Sequence, residues 1–176
     1  LGVEPGRVVF CAGATEANNA VFQNWASVLP DGASIAVSPT EHPSVIEAAK
    51  AFFEGRIVWF PVDSGGRVDL KVLDELLEAR RVEAVSVMAA NNETGVLQAW
   101  GSIADRCKEA GVAYHCDASQ WVGKMPLLGL GECSFVTACA HKFGGPKGAG
   151  FLILPNADHA CHVLWGGGQE AGRRAG

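Results

Sequence analysis

The chain has 176 residues, of which 48% are hydrophobic and 19% are charged, a balance that favours one folded core over disorder. Its net charge of −5, with no block of Lys and Arg, argues against nucleic acid or an anionic membrane as a partner. No apolar run approaches the roughly 18 residues of a membrane-spanning helix. The six cysteines form no CxxC pair, which argues against a disulfide framework. We therefore expect a cytoplasmic protein.

Short apolar stretches alternate with helical patterns, which predicts an α/β fold with crossover helices. Runs that are almost entirely apolar, such as AVSVMAA, are typical of a mostly parallel sheet buried on both faces. Asp69 is predicted to cap one helix and Gly111 to end another. In chain order, the predicted strands are 7–11, 34–38, 57–62, 84–90, 112–116, 134–140 and 150–154, and the predicted helices are 16–27, 44–54, 70–80 and 103–110.

Polar residues directly follow five of the predicted strands. In an open parallel sheet, ligands bind outside the carboxyl ends of the strands, and those ends share one edge. Five polar segments at that edge therefore predict a binding site. The segments are Gly13–Glu16, Thr40–His42, Asn91–Gly95, Asp117 with Gln120, and His141 with Lys142.

The residue types at this edge each allow a functional and a structural interpretation. Residues 13–15 lie between a strand and a helix, where amides and the Thr15 hydroxyl suit a phosphate, although Thr15 could simply cap the helix. Asp117 follows a buried strand, where an unpaired carboxylate is costly, and is therefore expected to have a cationic partner. That partner is either a ligand or another side chain in a structural ion pair; alternatively, the Asp117 carboxylate caps a turn. His42 is either a stacking or proton-transferring imidazole or part of a helix entry. Asn92 and Gln120 either hold a polar ligand or stabilise turns.

Lys142 ends a buried strand amid glycines. This position predicts a partly desolvated amine suited to Schiff-base chemistry, whereas a solvated surface lysine has no such role. The glycines at 144–148 lack the spacing of a nucleotide-hydrolase loop, and no cluster has the spacing of a metal site. A lysine, a carboxylate and an anion pocket are together what pyridoxal phosphate requires.

Six segments also resemble the cysteine desulfurases, which belong to the class V aminotransferase group of pyridoxal-phosphate enzymes. They occur in family order and spacing along the whole chain. The resemblance implies a three-layer α/β fold with a mostly parallel seven-stranded sheet and pyridoxal 5'-phosphate as cofactor. The segments are GATEANN (13–19), EHPSV (41–45), NNETGVLQ (91–98), HCDASQWVGKMPL (115–127), HKFGGPKGAG (141–150) and GGGQEAGRRAG (166–176).

The resemblance implies a role for individual residues. Lys142 matches the lysine that binds the cofactor, Asp117 the partner of the pyridine nitrogen, and Gln120 the donor to the 3'-oxygen. His42 matches the imidazole stacked on the ring and is, with Lys142, the candidate catalytic residue. Asn92 matches a neighbour of the 3'-oxygen and of the substrate carboxylate. The phosphate side matches Ala14, Thr15, His141 and Cys139, the last in place of the usual serine and a weaker donor.

The reaction that the resemblance implies converts L-cysteine to L-alanine and leaves an enzyme-bound persulfide, for iron–sulfur cluster assembly or thiolation. The family's nucleophilic cysteine and small domain have no counterpart in residues 1–176. We therefore expect one incomplete cofactor-binding large domain with little or no turnover. Expected partners of the full-length parent are a second copy and a sulfur-acceptor or scaffold protein. A selenocysteine lyase, a class V aminotransferase and a non-catalytic module of the same fold remain alternatives.

Overall fold

The computed structural model describes residues 1 to 176, and its centre is one seven-stranded sheet. The sheet order is β1-β7-β6-β5-β4-β2-β3. All neighbours from β3 to β6 are parallel, whereas β7 is antiparallel to both β6 and β1, so β1 runs in the same direction as β6. The prediction of a mostly parallel seven-stranded sheet is confirmed. The strands are β1 (Val8–Cys11), β2 (Ile35–Val37), β3 (Ile57–Trp59), β4 (Ala84–Ser86), β5 (Ala113–Asp117), β6 (Phe135–Cys139) and β7 (Gly150–Ile153).

All four predicted helices are present, and they cover both faces of the sheet. The helices are α1 (Ala14–Val28), α2 (Pro43–Phe52), α3 (Leu70–Glu78) and α4 (Trp100–Ala110). Helices α1 and α2 pack with one core of 19 buried residues, and α3 and α4 pack with a second core of 22 on the opposite face. The three-layer arrangement is therefore confirmed.

The helix boundaries follow the local signals in the sequence. Asp69 caps α3 by accepting the Lys71 N–H at 2.9 Å, as predicted. Gly111 ends α4 with a φ of +70°, a left-handed conformation that glycine adopts without a steric penalty. Pro43 is the first residue of α2, where its missing N–H costs no helical hydrogen bond.

Strand β4 is shorter than predicted because the chain leaves the regular ladder near the carboxyl edge. Strand β4 ends at Ser86 instead of residue 90. Beyond it, Val87 still donates to the His115 carbonyl at 3.2 Å and Ala89 to the Asp117 carbonyl at 2.9 Å. The chain after β4 therefore stays extended towards the predicted site. Four short 3-10 helices complete the structure, at Pro5–Arg7, Leu130–Glu132, Ala140–Lys142 and Gln169–Gly172.

All six cysteines are buried and unpaired. Burial raises the pKa of Cys11 and Cys107 to about 12 and that of Cys161 to about 11. A thiol with such a pKa is a poor nucleophile at neutral pH. Among the helices, none combines the length and the apolar character that a bilayer crossing requires.

Candidate active site

The carboxyl ends of β1, β5 and β6, with the segments that follow β2 and β4, surround a cavity of about 580 Å³. The five polar segments predicted to share one edge therefore meet in space. Every candidate site residue lines this cavity: Ala14, Thr15, His42, Asn92, Asp117, Gln120, Cys139, His141 and Lys142.

One end of the cavity is formed by the first turn of α1. Gly13 precedes the helix, and no side chain caps the amides of its first turn. Thr15 is the second residue of α1 and does not cap it. A Cβ on Gly150 would lie only 2.7 Å from the Gly13 Cα, so β7 begins in direct contact with this turn. Uncapped amides at a helix N-terminus attract anions, so this end of the cavity suits a phosphate.

Glu16 organises the same turn, a role that the sequence did not reveal. Its carboxylate accepts the Ala12 N–H at 2.5 Å and contacts the Arg174 Nε at 3.1 and 3.2 Å. A carboxylate beside an anion site is unfavourable by itself, and the Arg174 guanidinium offsets that charge. The partner comes from the C-terminal segment, 158 residues along the chain.

Asp117 ends β5 and is 5% exposed. Its Oδ1 accepts the Ser119 N–H at 2.9 Å, and its Oδ2 accepts the Asn18 Nδ2–H at 3.0 Å. None of the four ion pairs in the chain involves Asp117, so the alternative of a structural ion pair is wrong. A buried carboxylate that no side chain neutralises favours a cationic ligand group in the cavity.

Asn18 is a site residue that the sequence did not single out. It is fully buried on the same face of α1 as Phe22 and Trp25 and donates to both Asp117 and Ser44. The available signal was a polar residue, Asn18, on a helix face whose positions i+4 and i+7 are the apolar Phe22 and Trp25. Its partner lies 99 residues away, which the pattern could not indicate.

His42 caps a helix, and its place in the cavity leaves open its predicted role towards a ligand. As the residue before α2, its Nδ1 accepts the Ser44 N–H at 3.1 Å, and it lies 2.8 Å from the Ser44 Oγ. Because Nδ1 accepts a backbone proton, the neutral ring carries its own proton on Nε2. His42 also lines the cavity, so a helix cap and a cavity imidazole are the same residue.

Lys142 is the last residue of the 3-10 helix that follows β6. It lines the cavity but is exposed, so the expected desolvation of its amine is wrong. The reason is that β6 ends at Cys139, and the turn after it lifts His141 and Lys142 to the rim. Lys142 belongs to no ion pair, so its amine is available to a ligand.

The remaining cavity residues differ in burial. Cys139 is buried, and its Sγ lies 3.8 Å from the His141 Nε2. The Gln120 Oε1 accepts from Lys124 at 2.5 Å, which leaves its NH₂ group as a donor. Asn92 is exposed in the turn after β4. These groups place further hydrogen-bonding atoms around the same cavity as Asp117.

Glu41 lies immediately before His42 and is a further residue without a predicted role. Its Oε1 accepts the Met88 N–H at 2.6 Å, and its Oε2 is buried without a partner. Burial, helped by the Asp117 charge, raises the pKa of Glu41 well above its ordinary value, although the Met88 hydrogen bond opposes this. A buried carboxyl group whose protonated form is favoured therefore joins the turn that carries His42 to the segment that follows β4.

The sheet topology defines an α/β fold in which a lysine, an acid and a helix N-terminus share one cavity. The family model for class V aminotransferases matches residues 1–173. The chain belongs to the class V aminotransferase family, whose members are pyridoxal-phosphate enzymes.

The similar proteins narrow the relationship to the cysteine desulfurases. The cysteine desulfurase of Klebsiella pneumoniae is 40% identical in an alignment that covers 93% of this chain and 44% of that protein. A solved NifS-like protein superposes with a TM-score of 0.90 at 34% identity, over all of this chain and 50% of that one. A structure of SspA in complex with cysteine superposes with a TM-score of 0.89 at 25% identity, over all of this chain and 52% of that one. The chain thus spans about half the length of the relatives it matches.

Proposed function

We propose that the whole protein is a pyridoxal-phosphate-dependent cysteine desulfurase, which converts L-cysteine to L-alanine and an enzyme-bound persulfide. Residues 1–176 are its single, incomplete cofactor-binding large domain. The observation that carries this proposal is the shared cavity of Lys142, Asp117, His42 and the uncapped first turn of α1. The relationship to cysteine desulfurases at 34–40% identity supports it.

The donor set fits pyridoxal phosphate. The cavity has an unneutralised buried carboxylate for a cationic ring nitrogen, an unpaired amine for an aldehyde, and helix amides for a phosphate. When bound, the cofactor supplies an electron sink for the negative charge that develops at the substrate Cα. The residues that would hold it are Lys142 at the aldehyde, Asp117 at the ring nitrogen, Gln120 and Asn92 at the 3'-oxygen, His42 against the ring, and Ala14, Thr15, Cys139 and His141 at the phosphate.

The chain's own residues divide the proton handling between them. Asp117 would keep the proton on a bound cationic group, because a nearby negative charge favours the protonated form of that group. His42 has its Nδ1 occupied by Ser44, so its Nε2 is the nitrogen that can give or take a proton. Lys142 brings an exposed amine to the rim, where it can exchange protons with a substrate.

The substrate and partners follow from the same proposal. SspA, which shares the fold, has been solved with cysteine bound, and this supports L-cysteine as the substrate here. A homodimer in the cytoplasm, with a sulfur-acceptor or scaffold protein as its further partner, completes the proposal. Several large apolar side chains are exposed and available to such partners, including Leu128 at 94% and Trp165 at 74%.

Cofactor titration of the 176-residue chain tests the site. Pyridoxal phosphate is expected to produce a new absorbance band in the wild type that is absent from Lys142→Ala. Lys147→Ala is the matched control, because Lys147 is an exposed lysine of the same loop that does not line the cavity. Equal bands in the two variants would contradict the assignment of Lys142.

The reaction itself is tested on the whole protein. Chromatography of amino acids after incubation with L-cysteine is expected to show alanine and an equal amount of transferable sulfur. Lys142→Ala in the same protein should abolish both products. Transamination products in place of alanine would favour an aminotransferase and reject the desulfurase proposal.

A further inference from the structure

A chain of four buried side chains leads from the centre of the sheet to Asp117. The Ser86 Oγ lies 2.9 Å from the His115 Nδ1, and the His115 Nε2 lies 3.1 Å from the Thr137 Oγ1. The Thr137 Oγ1 lies 2.5 Å from the Asn18 Oδ1, and the Asn18 Nδ2 lies 3.0 Å from the Asp117 Oδ2. All four side chains before Asp117 are 0% exposed. Water therefore does not compete with these hydrogen bonds.

The direction of each bond follows from what each atom can donate. The Asn18 Oδ1 only accepts, so the Thr137 hydroxyl gives its one proton to it. The Thr137 Oγ1 must then accept from His115, which places the ring proton on Nε2. The His115 Nδ1 is left as an acceptor for the Ser86 hydroxyl. Every donor in the chain therefore points towards Asp117.

The surroundings of His115 agree with a neutral ring. Burial lowers the pKa of His115 to about 4, although the Asp117 charge opposes this. Phe22 and Trp25 enclose the ring edge-on, with ring centroids at 6.0 and 6.2 Å. At neutral pH the imidazole thus has one donor and one acceptor, as the chain of bonds requires.

The amide of Asn18 has one orientation that satisfies all of its contacts. With Oδ1 towards Thr137, its Nδ2 donates to the Asp117 Oδ2 and, at 2.9 Å, to the Ser44 Oγ. The reversed amide would present Oδ1 to the carboxylate and would leave the Thr137 hydroxyl without an acceptor. The Ser44 hydroxyl, which accepts from Asn18, lies 2.8 Å from the His42 Nδ1. Asn18 thus contacts Asp117 directly and reaches His42 through Ser44.

We propose that Asn18 is a positioning residue for Asp117, and that the hydrogen-bond chain from Ser86 through His115 and Thr137 fixes the amide that holds the carboxylate. This inference rests on the proposed function, in which Asp117 pairs with the cofactor ring nitrogen. Aligned donors polarise one another and favour a charged, immobile acceptor.

The chain without cofactor provides the first test. ¹⁵N NMR of His115 is expected to show a neutral ring with its proton on Nε2. The side-chain amide protons of Asn18 should exchange slowly with solvent, and about tenfold faster in Thr137→Val, which keeps the size of the side chain but loses the hydroxyl. Thr137→Ser keeps the donor and should match the wild type. A proton on Nδ1, or equal exchange rates in all three proteins, would overturn the inference.

The cofactor provides the second test. With ¹⁵N-labelled pyridoxal phosphate, the ring-nitrogen signal should be that of a protonated ring in the wild type and in Thr137→Ser. Thr137→Val should bind about three- to tenfold more weakly and shift that signal towards the unprotonated form. Equal weakening by both variants would reject the positioning role. If the wild type binds no cofactor, the proposed function of the site fails, while the NMR of the free chain still decides the hydrogen-bond chain.

Discussion

The pH dependence of stability should reveal His115 as a buried neutral imidazole. The perturbation is His115→Gln, which replaces the ring by a neutral polar side chain that does not titrate. In the folded protein His115 takes up a proton only near its lowered pKa of about 4, whereas in the unfolded chain it does so near 6.5. The unfolded state therefore binds more protons between these two values. The wild type must lose stability as the pH falls through this window.

The size of the loss follows from the two pKa values. A difference of one in pKa corresponds to 1.36 kcal/mol, so lowering from 6.5 to about 4 corresponds to about 3 kcal/mol between pH 7 and pH 4. Glu41 acts in the opposite direction over part of this range, because burial raises its pKa. Its contribution is common to the wild type and to the His115→Gln variant and cancels in their difference.

Urea unfolding at pH 7, 6, 5 and 4 measures this difference. The free energy of unfolding of the wild type, minus that of His115→Gln, should decrease by about 3 kcal/mol from pH 7 to pH 4. His159→Gln is the control, because the pKa of the half-buried His159 is also lowered, by burial and by Arg173. Its difference should change less. A difference for His115→Gln that does not vary with pH would refute a buried, neutral His115.

Three further substitutions test other parts of the structure. Glu41→Gln should stabilise the chain in urea unfolding at pH 7, because burial raises the pKa of Glu41 and the wild type therefore loses stability as the pH rises. The gain in unfolding free energy should fall by up to about 1.4 kcal/mol per pH unit towards pH 4.5. A gain that grows towards pH 4.5 would contradict this. Cys139→Ser should increase the affinity for pyridoxal phosphate about threefold in absorbance titrations, because a hydroxyl is a better hydrogen-bond donor than a thiol. The affinity for pyridoxal, which has no phosphate, should not change. Equal effects on both ligands would place Cys139 away from the phosphate. Gly150→Ala should lower the free energy of unfolding by about 1–3 kcal/mol, because its Cβ would lie 2.7 Å from the Gly13 Cα. Gly101→Ala is the control and should be neutral or stabilising, because a Cβ on Gly101 would have no neighbouring atom within 4 Å.

Much of the fold was predictable because its signals are local. The 3.6-residue spacing of Leu73, Leu76 and Leu77 gave α3, and all three are buried. Apolar runs between turn residues gave all seven strands, and the central strands β2, β4 and β6 are buried along their whole length. The common edge of the site followed from the parallel topology, which places the carboxyl ends of strands together.

The details of the site depend on contacts between distant segments, and the sequence could not supply them. Glu16 meets Arg174 and Asn18 meets Asp117 only after the sheet has formed, so neither pair has a local pattern. The exposure of Lys142 depends on where β6 ends and how the 3-10 turn rises from it. An apolar run before a lysine predicts that the strand is buried, but it does not predict whether the lysine amine is buried.

The amine of residue 142 is where the whole account can be tested most directly. The chain is incubated with pyridoxal phosphate, treated with borohydride to make the bond to the cofactor permanent, digested, and analysed by mass spectrometry. We predict a mass increase confined to the peptide that contains Lys142. An unmodified Lys142 peptide, or a modification found equally on Lys124 and Lys147, would contradict the account.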